Sequence, residues 1–138
     1  MINLIKEIKI RPKNQEIKNI TPEVEKAVKE SKLETGLVNL SILHTSASLF
    51  VQENASEEVL LDISDFINKL VPQSSKYRHN IEGPDDMPAH IKSLLTNSNL
   101  TFSVENNRIL LGRWQGIYLY EHRTVKRTRV VIVHLMGS

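Results

Sequence analysis

At 138 residues the chain has the length of one domain, which buries roughly two-thirds of the surface its unfolded form exposes, so a core can form without staples. It contains no cysteine, which excludes disulfides, thiolate zinc sites, iron–sulfur clusters and thiol nucleophiles together and leaves nitrogen and oxygen as metal donors. Eighteen Lys and Arg against sixteen Asp and Glu give a net charge of +2, too small a surplus to mark the whole domain as a nucleic-acid binder.

Met1–Arg11 alternates, with Ile2, Leu4, Ile8 and Ile10 on one parity and Asn3, Glu7, Lys9 and Arg11 on the other, the period of a half-buried strand. That alternation is not the unbroken apolar core of a signal peptide, and no apolar run approaches the roughly 20 residues of a membrane span, so cytoplasmic residence is the default expectation. After the punctuation of Pro12–Asn14, Glu16–Ile20 offers a second strand. Thr21-Pro22 predicts a helix N-cap with proline at the first helical position; Val24, Ala27, Val28 and Ser31 follow at helical spacing, and Gly36 suits the stop. Leu37–Leu43 predicts a strand apolar on nearly both faces, broken by His44-Thr45-Ser46-Ala47 and resumed at Leu49–Val51.

Ser56 predicts the cap of a second helix, whose stripe of Val59, Leu60, Ile63, Phe66, Ile67 and Leu70 should pack on a sheet. Gln73–Asp85 is a polar stretch of a length that compact domains rarely leave without a use. Asp86 predicts the cap of a short helix through Met87–Leu95, with His90 one turn in. Leu100, Phe102 and Val104 alternate, Asn106-Asn107 supplies a left-handed turn, Ile109–Leu111 returns, and Trp114–Tyr120 and Arg129–Met136 complete the strands. Two or three helices among six to eight strands predict α+β: a compact single domain, residues 1–138, with a mixed, largely antiparallel sheet packed against two or three helices.

Five histidines invite a metal reading, although no HExxH or other short zinc motif occurs. His79 falls in the long loop, His90 on the helix after it and His44 in the strand break, so a shared site would be assembled by the fold. Neutral imidazoles ligate zinc or a similar divalent ion, and Asp85, Asp86, Glu82 or Glu53 can add oxygen ligands or orient the rings. A loop histidine, a capping aspartate and a surface histidine account equally well for the same residues. His44 follows an apolar run and so needs partners, for which Thr45, Ser46 and Ser48 are at hand. His134, within a strand of Val and Ile, reads as a satisfied sheet histidine. Gln115-Gly116 marks a bulge or a close approach, while Glu121-His122-Arg123 is either a polar-ligand cluster, with Arg123 available to a phosphate, or an ion pair at an exposed strand end. Lys126, Arg127 and Arg129 read as a solvated turn, because no aromatic residues are interleaved for stacking on nucleic acid.

Taken in order, His44-Thr45-Ser46-Ala47-Ser48, Glu53-Asn54, Tyr77-Arg78-His79, Glu82-Gly83-Pro84-Asp85-Asp86-Met87-Pro88-Ala89-His90-Ile91-Lys92 and Trp114-Gln115-Gly116-Ile117 resemble the YjbQ family, whose members are described as secondary thiamine-phosphate synthases. The resemblance covers nearly the whole chain. It implies a compact α+β subunit, usually a homotrimer, with His44, His79 and His90 as ligands of a divalent metal ion, zinc or magnesium. Asp85, Glu53, Asn54, Gln115 and Lys92 match further polar positions and are assigned to substrate contacts, and Asp86, Glu121 and Arg123 to catalysis. Arg113 departs from the threonine usual before the tryptophan, adding a charge beside that string.

The activity implied joins a pyrimidine diphosphate to a thiazole phosphate, giving thiamine phosphate and pyrophosphate. The metal with Arg123 or Lys92 would stabilise the leaving group, and Glu121 or Asp86 would act as general base. A hydrolase or other transferase acting on a phosphorylated metabolite, and a non-catalytic protein that holds a small anion, are the alternatives that the same residues allow. Nucleic acid and membrane are not expected partners.

Overall fold

The structure is a computed structural model and describes residues 1–74 and 76–138. Among the described residues, eight strands and three helices follow in the order β1 (Ile2–Ile10), β2 (Ile17–Asn19), α1 (Thr21–Ser31), β3 (Thr35–Ile42), β4 (Ala47–Glu53), α2 (Glu57–Leu70), α3 (Asp86–Leu95), β5 (Asn99–Glu105), β6 (Arg108–Ile109), β7 (Gln115–Glu121) and β8 (Arg129–Gly137). The α+β class stands. Instead of one mixed sheet there are two, a five-stranded sheet in the order β1-β8-β3-β5-β6 and a three-stranded sheet in the order β2-β7-β4, with every pairing among the described residues antiparallel.

The main core lies between the sheets. Val38, Leu40 and Ile42 of β3 and Val131, Val133 and Leu135 of β8 meet Ala47 and Leu49 of β4, Ile117 and Leu119 of β7, and Val24, Ala27 and Val28 of α1. β7 is buried on both faces, since Tyr118 and Tyr120 point the other way and meet Phe50, Tyr118 stacked and Tyr120 edge to face, with Leu60 of α2 packed against them. The two-faced apolar strand expected at Leu37–Leu43 is therefore found at β7, and β3 alternates, leaving Leu37 and Leu43 exposed. β3 sits in an outer sheet with one solvated face, whereas β7 is the middle strand of an inner one.

Two local expectations are corrected. Thr21 does not cap α1: Ile20 holds the N-cap position, the Thr21 N–H donates to Asn19 Oδ1 at 3.0 Å, and Thr21 Oγ1 accepts from the Ile117 N–H at 2.8 Å. The helix stops at Lys32, in a left-handed conformation with φ 59°, and Asn107 Nδ2 donates to the Val28 and Leu33 carbonyls. Gly36 belongs to β3, opposite Gly137, where an added Cβ would fall 1.9 Å from the Met136 carbonyl oxygen; close strand approach, not a helix stop, demands glycine there. The Asn106-Asn107 hairpin is as expected, with both residues at positive φ.

α2 forms from its predicted stripe, but none of its residues is buried, and Ser56 makes no side-chain capping bond. Leu60 reaches the aromatic cluster, while Leu61, Phe66 and Leu70 are 56%, 64% and 57% exposed. The helix meets the sheet through the rings of Phe50, Tyr118 and Tyr120, against which Leu60 packs. Ile63 is accordingly half-buried, not a core residue. Among the described residues no helix is long and apolar enough to cross a membrane.

Candidate metal centre

The polar loop ends against α3, and that junction gathers the chemistry. Asp86 opens the helix and His90 follows one turn later, so both side chains share a face. His79 folds back from the loop to place Nε2 2.6 Å from Asp86 Oδ2, while His90 Nε2 lies 3.4 Å from the same oxygen. One donor atom from each residue lies within 4.8 Å of the other two. Glu82 Oε2 is 3.7 Å from His79 Nε2, an exposed carboxylate beside the group.

Asp86 is not the helix cap that its position suggested. Asp85 occupies the N-cap without a side-chain capping bond, and both carboxylates turn toward Arg123 at the end of β7. Arg123 Nε donates to Asp85 Oδ2 at 2.8 Å, Nη1 to Asp86 Oδ1 at 2.7 Å and Nη2 to the Glu82 carbonyl at 2.9 Å, so one planar fork ties the loop to the helix start. Burial pushes the Asp86 carboxyl up, but the His79 hydrogen bond and the Arg123 and His90 charges outweigh it and hold the group below the usual range. Asp85 behaves alike under its bonds from Arg123 and the Thr124 N–H.

His90 Nδ1 is 2.9 Å from the Thr45 carbonyl oxygen. A carbonyl only accepts, so Nδ1 carries a proton and Nε2 is the ring nitrogen turned toward Asp86, the arrangement by which proteins orient metal-binding imidazoles. Two donors each about 2.0–2.1 Å from a tetrahedral ion stand roughly 3.3 Å apart, near the spacing of His90 Nε2 and Asp86 Oδ2; the shorter His79 contact would have to open. The donor set thus fits a divalent ion, and two imidazoles favour zinc or a neighbouring transition metal over magnesium, which prefers oxygen ligands.

The remaining site residues are distributed differently. His44 stands apart from the group: Nε2 accepts from the Val130 N–H at 2.8 Å and Nδ1 faces Arg129 Nη1 at 3.2 Å. Burial first, then the Arg129 charge, lowers its pKa. The expected trio of histidines is met by two, with Asp86 in the third place, because the strand break turns the His44 ring toward β8 while sending the Thr45 carbonyl to His90. Glu121 is fully buried, bound through both oxygens to Arg129, and also accepts from the Arg123 N–H, which leaves no face for a general base. Arg129, expected in a solvated turn, is 2% exposed, and it also donates to the Ser46 carbonyl and hydroxyl. The Glu121-His122-Arg123 string is an interior polar layer, not an exposed strand end.

Glu53, Asn54 and Gln115 lie at the far end of the inner sheet. Ala47 pairs with Glu121 and Glu53 with Gln115, six residues along β4, or about 20 Å at roughly 3.4 Å per residue. There Asn54 Nδ2 donates to the Gln115 carbonyl and Gln115 Oε1 accepts from the Gly112 N–H. Gly116 is the close approach expected: an added Cβ would meet the Tyr118 ring at 3.0 Å and Asn54 Cβ at 3.2 Å. His134, as expected, is satisfied within the sheet, by Asn3 Oδ1 at 2.7 Å. His122, expected only as a member of the Glu121-His122-Arg123 cluster, is buried in its own right. Its Nε2 meets Ser48 Oγ at 2.8 Å, its Nδ1 has no partner among the described residues, and burial above all, with the Lys92 and Arg129 charges, pushes its pKa down to about 3.

Fold and site define a class: a small antiparallel α+β domain with an imidazole and carboxylate donor set where a polar loop enters a helix. The chain belongs to the UPF0047 YjbQ-like family, whose model matches residues 6–138. It is 43% identical over 130 residues to a UPF0047 protein of Synechocystis sp., covering 94% of this chain and 88% of that one. To the UPF0047 protein YjbQ of Salmonella typhimurium it is 45% identical over 106 residues, 77% of each chain. A YjbQ/UPF0047 family structure from Clostridium acetobutylicum matches with a TM-score of 0.87 at 35% identity, covering 95% of this chain and 99% of that one. A YbjQ-like protein of Sulfolobus solfataricus matches at 0.91 and 22% identity, covering 99% of each chain, a likeness of fold alone.

Proposed function

We propose that the chain is a divalent-metal-dependent enzyme acting on a small phosphorylated metabolite, with His79, Asp86 and His90 holding the ion. The observation that carries this reading is the His90 ring, anchored through Nδ1 to the Thr45 carbonyl with Nε2 directed at Asp86. Three protein donors with room for a fourth is the pattern of catalytic zinc sites, and when bound such an ion polarises a phosphoryl oxygen or activates water at neutral pH. Arg123 keeps Asp86 ionised and aimed, a positioning role that agrees with its burial and with the three protein acceptors that engage three of its five N–H donors. Glu82, exposed and beside His79, is the carboxylate free to move a proton, in place of Glu121.

Within this class the particular reaction we favour is the one the family resemblance implied, displacement of pyrophosphate from a pyrimidine diphosphate by a thiazole phosphate, and with it a homotrimeric assembly. The absence of cysteine suits it, because direct displacement needs no covalent nucleophile. The test is metal content and pyrophosphate release from those two precursors, for wild type, His79→Ala and His90→Ala. Wild type should hold one ion per chain and turn over, and both variants should lose both properties. Variants that keep full metal content and full turnover would sink the assignment.

A further inference from the structure

On α3, Lys92 lies six residues beyond Asp86, about 240° round the helix, so it points away from the metal group. The side chain runs under α2, where Nζ donates to Asn68 Oδ1 at 2.6 Å. It is 3% exposed, and among the described residues no carboxylate is in ion-pair contact with it. Asp85, the carboxylate that acts on it at longer range, is already engaged by Arg123 and the Thr124 N–H. Each of the other two buried cations, Arg123 and Arg129, has carboxylate oxygens at hydrogen-bond distance. A buried ammonium has three donors, and leaving it with one neutral acceptor is costly unless something else supplies the countercharge.

Lys92 also lines a cavity of about 240 Å³ with Gln15, Asn68, Val71, Pro72 and Gln73. The wall contains three amides, one ammonium and no acid. Gln15 is held there at φ 48°, a left-handed conformation that is strained for a non-glycine residue; its N–H is tied to the Arg123 carbonyl at 3.1 Å. The volume is below the roughly 300–1,000 Å³ of pockets for drug-sized ligands, which points to a small guest.

We propose that this pocket binds a small oxyanion, inorganic phosphate or the phosphate end of a small ester, with Lys92 Nζ supplying the charge and Gln15, Asn68 and Gln73 the remaining polar contacts. The site lies on the opposite face of α3 from His90 and does not depend on the metal reading.

Phosphate is titrated calorimetrically into the purified full chain and into Lys92→Met, Asn68→Asp and His90→Ala. Asn68→Asp puts a carboxylate where the amide now accepts from Nζ, meeting the charge from inside. Wild type and His90→Ala should bind one phosphate with affinities within about twofold. Lys92→Met and Asn68→Asp should bind at least about tenfold more weakly, the loss expected for one charge-assisted contact. Asn68→Asp should also melt above wild type in phosphate-free buffer, which keeps the test valid if Lys92→Met fails to fold. Wild type that takes up no phosphate at millimolar concentration, unchanged binding in Asn68→Asp, or binding lost only in His90→Ala would each overturn the proposal. A parallel titration with glycerol phosphate identifies the source, a tighter fit for the ester assigning the pocket to a metabolite and a tighter fit for inorganic phosphate to the free ion.

Discussion

Arg123 shows how a residue that looks like a ligand-binding cation becomes a structural one. Its guanidinium meets two buried carboxylates and a loop carbonyl, and removing one partner from such a set leaves uncompensated charge in the interior, a loss of about 3–5 kcal/mol. Arg123→Ala should therefore unfold at markedly lower urea than wild type, and an unchanged midpoint would contradict the packing described. His122 predicts a pH dependence. Its folded pKa is about 3 against an unfolded value near 6.5, so above about pH 6.5 both states are neutral and its contribution is complete. As pH falls from there toward 3 the unfolded state binds a proton that the folded state refuses, and stability drops by about 1.4 kcal/mol per pH unit. Urea melts of wild type between pH 6.5 and 4.5 should show this slope, reduced by one proton in His122→Gln; parallel profiles would mean that His122 is not the buried neutral base. The metal variants belong here too: His79 and His90 are partly exposed and add little apolar burial, so His79→Ala and His90→Ala should still fold, melting no more than about 1–3 kcal/mol below metal-free wild type for the lost contact to Asp86, while losing the ion.

At the level of elements, α2 and β7 make a controlled comparison. α2 was expected to pack on a sheet and has no buried residue, whereas β7, expected only as one of the last strands, is buried on both faces. Truncating Leu119 should cost about 2–5 kcal/mol, whereas Phe66→Ser should move the stability of an isolated chain by no more than about 0.5 kcal/mol. Thermal melts of the two variants side by side check the assignment, and a large loss in Phe66→Ser at a concentration where the chain is monomeric would place α2 in the core after all. The stripe itself was read correctly. What it faces could not be, because an amphipathic pattern reports that one side of a helix is apolar and not which surface covers it.

For the whole molecule, the polar positions that carry the family resemblance fall into two sets about 20 Å apart along the inner sheet, one around Asp86 and Arg123 and one at Glu53, Asn54 and Gln115. Under the proposed trimeric reading, sedimentation at micromolar concentration should give three times the chain mass, and Phe66→Glu, on the exposed apolar face of α2, should shift it toward the monomer. A wild-type monomer at that concentration removes the assembly. Much of the design was legible in the sequence by itself: the α+β class, the alternating strands, the Asn-Asn hairpin and a helix at Met87–Leu95, because local periodicity and turn chemistry act over a few residues. Only the tertiary structure decided that Glu121 and Arg123 are locked in ion pairs, that His44 turns to β8, that Gly36 spaces two strands and that Lys92 is buried with no countercharge in contact among the described residues. Those outcomes depend on which residues the folding of β7 against β4, and of the loop against α3, brings within a few ångströms, and at that range the partner, not the residue type, sets whether a charge is a ligand, a strut or an unmet demand.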